Sequence, residues 1–210
     1  MARATDTASR RGVRQPREAR EPSRREELIE VALKLFNDKG YEATSVQDIA
    51  DAMNILKGSL YHYMQSKEDL LFWLIERTHE RFLQLMTAVQ NLDAPPTEKL
   101  KALIEGHVRI ATQHVVEARV YADDFKSLDP GRKRVILNQR RRYDGFARQL
   151  IEAAQEVGLA STDVSPRLAG IAIMSMVTSI PRWFRPGGSI SAEDLATAYG
   201  QYAIRLLSDA

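Results

Sequence analysis

Apolar residues return every three or four positions along most of this 210-residue chain, and no strand-type alternation competes with that period. The pattern predicts an all-α fold. Ser23 with Glu26 makes a capping box, and Leu28, Ile29, Ala32, Leu35 and Phe36 form a stripe that ends at Gly40. The Thr44 hydroxyl is expected to cap a second helix, with Gln47 reaching back and Val46, Ile49 and Ala50 facing inward. Met53 to Leu56 read as a tight connection, where Asn54 tolerates the left-handed conformation that a sharp turn needs. A third helix is expected from Lys57 to Tyr63. Leu60 and Met64 give it one apolar face, leaving Lys57, Gly58, Ser59, Tyr61 and His62 on the other.

Ser66 with Asp69 opens a long helix that carries Leu71, Leu74, Ile75, Phe82, Leu85 and Val89 and stops before the breaker cluster from Asn91 to Pro96. Helix resumes from Thr97 to Val116 and then in a shorter segment ended by Asp129-Pro130-Gly131. A long helix from Arg132 to Val157 puts Tyr143, Phe146, Ala147, Leu150, Ile151 and Ala154 on one stripe, closed by Gly158. Ser165-Pro166 opens a helix that is apolar nearly all round to about Ile180, so it must be covered on several sides. It is too short to span a bilayer. Ser191 caps a last helix with Leu195, Tyr199, Tyr202 and Leu206 on one face.

Composition adds limits. An apolar content of 44% suffices for a packed core, and the absence of cysteine removes disulfides and thiol chemistry, as expected of a cytoplasmic protein. The net charge is only +2, but residues 1–25 hold eight Arg against three carboxylates, so the basic excess sits in the tail. Residues 1–22 read as a disordered Arg-rich arm able to follow a minor groove, with no apolar run of the kind that marks secretion. Enzyme signatures are missing: there is no phosphate-cradling Gly-rich loop, nucleophile elbow or HExxH. His107 and His114 could share a helix face, but no third ligand stands near them in sequence, so no metal or other cofactor is expected. Glu105, Glu117, Asp123 and Asp124 read as solvated charges.

The segment from Thr44 to Lys67 reads as two short helices joined by a turn in a DNA-reading arrangement. A helix entering the major groove uses its N-terminal residues on base edges and its flanks on phosphates. Lys57 and Ser59 suit bases, Gly58 lets backbone approach closely, and Tyr61, His62 and Lys67 suit phosphate oxygens, with Thr44 at a helix start also facing phosphate. The run IADAMNILKGSLYHYMQSKEDLL resembles the DNA-binding signature of the TetR family of bacterial repressors. The Ile-Ala pair, the Gly-Ser-Leu-Tyr step, Tyr63 and the Ser66-Lys67-Glu68 junction carry that resemblance. Met53, Asn54 and Leu56 depart from the commonest pattern, and Leu56 weakens the cap of the third helix.

The resemblance implies a helix-turn-helix domain over residues 23–68 and a helical effector-binding and dimerisation domain over 69–210. It also implies a homodimer joined through segments near Pro166 to Arg182 and Ser191 to Leu207, bound to a palindromic double-stranded operator. The segment PRWFRPGGSIS, residues 181–191, is similar to one in a branch that responds to acyl-CoA compounds of fatty-acid or steroid catabolism. Arg182 and Arg185 would then meet CoA phosphates and Trp183 would stack on adenine or line the pocket mouth. Tyr121, Phe125, Tyr143, Phe146, Met174 and Met176 are the candidates for lining an apolar pocket. A DNA-organising protein without an effector, and a helical lipid-binding module without DNA function, are the alternatives.

Overall fold

The computed structural model describes residues 23–208 and contains, among them, only helices and their connections. The N-terminal head holds α1 (Arg24–Lys39), α2 (Val46–Ala52) and α3 (Lys57–Leu60). Then come the long α4 (Lys67–Gln90), α5 (Pro96–Gln113), α6 (Val115–Asp124) and α7 (Pro130–Glu156). The chain closes with α8 (Pro166–Thr178), the single turn α9 (Ile180–Trp183) and α10 (Ala192–Arg205). The Arg-rich arm expected over residues 1–22 lies outside the described residues.

Local chemistry accounts for most boundaries. Ser23 and Glu26 form the expected capping box, and Gly40, at φ 82°, supplies the left-handed geometry that ends α1. Asp129 accepts from the backbone N–H groups of Gly131 and Arg132 and so starts α7, while Ser165 and Ser191 cap α8 and α10. The helix expected from Thr97 to Val116 ends at Gln113, the shorter segment after it is α6, and the apolar helix after Pro166 ends at Thr178, followed by the extra turn α9. Pro181 lacks the N–H that a continuous helix would need at that point.

Packing produces two cores. Leu28, Ala32, Phe36, Ile49, Ala50 and Leu60 of the head bury themselves with Leu70, Leu71, Leu74 and Ile75 of α4. Val120, Leu128 and Ile136 join this core from the C-terminal half, so packing runs unbroken across the boundary expected at residues 68 and 69. The second core joins α4, α5, α7, α8 and α10 around Leu103, Ile104, Val108, Phe146, Ile151, Ile173 and Val177. Helices α5 and α10 approach closely at Gly200, where a Cβ would lie 2.8 Å from the Glu105 side chain. No helix among the described residues is long and apolar enough to cross a membrane.

Candidate nucleic-acid face and effector cavity

The turn between α2 and α3 has the expected form: Asn54 is the one non-glycine residue at positive φ (53°) among those described. Helix α3 itself is shorter than expected. Regular α geometry stops at Leu60, and a turn closed by Tyr63 N–H to Leu60 C=O (2.8 Å) and Met64 N–H to Leu60 C=O (3.1 Å) carries the chain on. Leu60 and Met64 are buried as the pattern requires. Lys57, Gly58, Tyr61 and His62 are exposed and Ser59 is half-buried, and none of their side chains has a hydrogen bond or ion pair among the described residues. A Cβ built on Gly58 would meet nothing within 4 Å. Leu56, at the N-cap of α3, makes no capping bond and is 80% exposed, and Tyr63 also projects outward.

Two of the anticipated contact residues are used inside the protein. Thr44 is buried and does not cap α2; its hydroxyl donates to the carbonyls of Gly40 (2.8 Å) and Leu35 (3.3 Å). The cap is Ser45, which exchanges hydrogen bonds with Asp48. Lys39, also bonded to Asp48 at 2.7 Å, and Ser45 hold that carboxyl well below the usual carboxylate range. The Lys67 ammonium donates to the carbonyls of Tyr41 (2.6 Å) and Thr44 (2.7 Å) and sits 4.2 Å over the Tyr41 ring. With the Glu42 carbonyl also 3.4 Å away, three acceptors of the turn after α1 surround the Lys67 ammonium, which braces that turn.

The second site is a cavity of about 420 Å³ among α4, α5, α6, α7, α8 and α9. Of the anticipated lining residues, Tyr121, Phe125, Tyr143, Met174 and Arg182 reach it. Phe146 does not: it is buried in the second core. Trp183 and Arg185 also stand outside the lining. The Trp183 indole N–H donates to Ser179 Oγ (3.4 Å), and Arg185 turns back on the Phe184 carbonyl (3.1 Å). His79, Phe82, His107, Arg140 and Asp144 also stand in the wall, and nothing in the local sequence sets them apart from core or solvated residues.

Electrostatics differ across this wall. Burial depresses the His79 pKa to about 4, assisted by the charge of Arg140. The same cause, with His79 and Arg140 adding to it, takes His107 to about 3. Both imidazoles are therefore neutral at physiological pH. Burial pushes the Tyr143 phenol well up, and its oxygen lies 3.3 Å from His107 Nδ1. Burial also raises the Asp144 carboxyl, opposed by Arg140, whose Nε is 3.7 Å away.

Between the cavity and the head runs α6. Its residues Ala118, Tyr121 and Ala122 line the cavity, and Arg119 donates to the carbonyls of Pro181 and Phe184, both at 2.9 Å. Two positions before Arg119, Glu117 is buried rather than solvated. It accepts from Arg77 (2.7 Å) and pairs with Arg81, both on α4, while Arg77 also bonds Glu30 of α1 at 2.6 Å. A second strut joins Arg132 of α7 to Asp69 of α4. Although burial pushes the Asp69 carboxyl up, Arg132 and the Ser66 and Gln65 N–H groups hold it below its ordinary value.

Comparisons with known proteins agree with this geometry. Residues 28–73 match the family described as bacterial regulatory proteins, tetR family, and residues 93–207 match the tetracyclin repressor-like C-terminal domain. The HTH-type transcriptional repressor KstR2 of Mycolicibacterium smegmatis is 31% identical over 189 residues, covering 84% of this chain and 87% of its own. The structure of the ketosteroid transcriptional regulator KstR2 of Mycobacterium tuberculosis superposes with a TM-score of 0.81 at 27% identity, over 90% of this chain and 96% of that one. AibR in complex with isovaleryl coenzyme A and operator DNA superposes with a TM-score of 0.77 at 28% identity, over 86% of this chain and 97% of that one. With the head and the cavity-bearing bundle both matched, the chain belongs to the TetR family of bacterial transcriptional regulators, which are DNA-binding proteins and not enzymes.

Proposed function

We propose that this regulator is a homodimeric repressor that reads an inverted-repeat operator with α3 and releases it when a CoA thioester occupies the cavity. The observation that carries the DNA assignment is the contrast within one short segment: Thr44 and Lys67 spend their polar groups internally, whereas Lys57, Ser59, Tyr61 and His62 keep theirs for an outside partner. Lys57 and Ser59 then face base edges, Gly58 admits the groove wall, and Tyr61 and His62 take phosphates. Two heads spaced by one DNA turn, roughly 34 Å, need a dimer. Helices α8 and α10 supply an apolar surface for it, since Leu168 (66%), Ile171 (55%), Tyr202 (50%) and Leu206 (45%) are exposed in the single chain.

The effector assignment draws on the cavity and on AibR, which was crystallised with a CoA ester. A volume of about 420 Å³ fits an acyl tail and leaves the nucleotide outside, where Arg182 and Arg140 offer guanidinium groups to phosphate. Helix α6 couples the sites. A tail that moves Tyr121 and Ala118 moves Glu117 with them, and Glu117 is tied through Arg77 to Glu30 of the head. Footprinting with the full chain tests the first half of this reading: one protected inverted repeat is expected, and uniform protection of all sequences defeats it. For the second half, acyl-CoA should release that repeat while free CoA and free acid do not, and Arg182→Ala with Arg140→Ala should blunt release. Release by none of a series of CoA esters defeats it.

A further inference from the structure

Two chemically distinct groups of side chains stand in the lining of the effector cavity. Arg140 and Arg182 are exposed and charged, with the half-buried Asp144 beside Arg140. His79, His107 and Tyr143 are uncharged hydrogen-bonding side chains only 6%, 5% and 4% exposed. Phe82 stacks on His107 with ring centroids 4.3 Å apart and lies 5.5 Å from the Tyr143 ring, so the polar atoms of this second group are set in an apolar frame.

These polar atoms are under-used. The Tyr143 hydroxyl and His107 Nδ1 share one proton between them, whereas a hydroxyl and a neutral imidazole together offer more donor and acceptor positions than that bond consumes. His79 Nε2 is buried with no hydrogen-bond partner among the described residues. A buried nitrogen left unpaired costs about 1–3 kcal/mol, and interiors seldom keep such atoms without a use for them. A plain hydrocarbon tail would leave all three residues facing methylene groups. An ammonium would lose its hydration there and meet the like charge of Arg140, which acts on both histidines.

We infer that the cavity is shaped for an acyl tail carrying a neutral oxygen, a ketone or a hydroxyl, that hydrogen-bonds to His79 and to the Tyr143–His107 pair. This rests on the reading of the cavity as the acyl-CoA site and adds to it the chemistry that selects one thioester over another. His79 and His107 keep one N–H donor each because their burial holds them neutral, and the raised Tyr143 phenol keeps its proton. Sites built to hydrogen-bond a ligand oxygen discriminate strongly against the analogue that lacks it, because the buried partners are then stranded.

Calorimetric titration of the full chain with octanoyl-CoA and with 7-oxo-octanoyl-CoA, which have the same chain length, tests the inference without any knowledge of the operator. The oxo ester should bind at least about tenfold more tightly, and Tyr143→Phe and His79→Phe should each narrow that ratio to within about threefold. Circular dichroism melts of the two variants check that they fold. Equal affinities in the unaltered protein, or preference for octanoyl-CoA, would overturn the inference while leaving the cavity an acyl-CoA site. A preference that both folded variants retain also overturns it, since the oxygen would then be read elsewhere. Binding of neither ester removes the acyl-CoA reading itself, and the inference with it.

Discussion

Helices α3 and α6 are both short and both carry polar side chains, yet they dispose of them in opposite ways. On α3 and the turn after it, Lys57, Tyr61 and His62 are exposed without a side-chain partner among the described residues, and the helix follows the uncapped, exposed Leu56. On α6, Glu117 and Arg119 are tied to α4 and to the turn at Pro181 and Phe184. The glycines repeat the contrast. Gly200 is required by its own fold, since a Cβ there would meet the Glu105 side chain at 2.8 Å, whereas Gly58 has open space around it and no positive φ. Under the proposed function, what the fold does not need at α3 is left for DNA, and the ties of α6 link the cavity to the head.

The largest test of that contrast is removal of the Glu117 carboxylate. Glu117→Ala leaves Arg77 and Arg81 facing each other in a partly buried place, and breaking a buried pair this way costs about 3–5 kcal/mol. The two arginines are 22% and 24% exposed, which lets water screen them and puts the expectation near the lower figure, about 3 kcal/mol. Denaturant unfolding measures it. A loss below about 0.5 kcal/mol, the range of an ordinary surface substitution, would mean that α6 is not held there.

Next comes a pH effect specific to the cavity. His79 and His107 have folded-state pKa values of about 4 and about 3, below the ordinary 6.5, so between these values the unfolded chain binds more protons than the folded one. Stability conferred by the neutral folded histidines is therefore full above about pH 6.5 and falls as pH drops toward about 4. Between pH 7 and pH 5 the loss is about 2 kcal/mol per histidine before solvent screening, hence about 2–4 kcal/mol for the pair. Unfolding curves at both pH values, compared with those of the His79→Phe, His107→Phe double variant, isolate this contribution. If the variant loses as much as the parent, the histidines are not responsible.

How much of this was legible in the sequence follows from the range of the interactions involved. The head is built from local signals: the box at Ser23 and Glu26, the left-handed Asn54, and Leu60 with Met64 on one face all act within four residues and are found where the pattern puts them. The choice of Ser45 over Thr44 as a cap has no comparable signal, since either hydroxyl suits a helix start and the folded turn after α1 draws Thr44 inward onto the Gly40 and Leu35 carbonyls. The cavity wall was only half readable. Tyr121, Phe125, Tyr143 and Met174 are large residues in apolar stripes, but His79, Arg140 and Asp144 acquire their surroundings from other helices. Glu117 meets partners 36 and 40 residues away, so its sequence neighbours could suggest only a solvated charge.

Gly58 separates folding from DNA binding within one substitution. Gly58→Ala adds a methyl group to a helix where nothing obstructs it, and should stabilise the free protein by about 0.5–1 kcal/mol. If α3 enters a groove, that methyl stands against DNA, and operator affinity should fall about tenfold or more, about 1.4 kcal/mol. Lys57→Ala should instead relax base preference by about 1–3 kcal/mol at the position it reads. Thermal melts together with binding isotherms on specific and scrambled duplexes distinguish the two. Unchanged operator affinity in Gly58→Ala would remove the close approach of α3 to DNA.

The smallest effect concerns the start of the same helix. Leu56 is 80% exposed and offers no acceptor to the first N–H groups of α3, where serine would supply one. Leu56→Ser should raise stability by about 0.5–1 kcal/mol, readable as a shift of the unfolding midpoint. The sign carries the information. A gain means that the fold leaves stability unclaimed at the tip of its reading helix, in keeping with a surface organised for an external partner. A loss would mean that Leu56 packs within the head in solution, and the division between an outward α3 and an inward α6 would weaken accordingly.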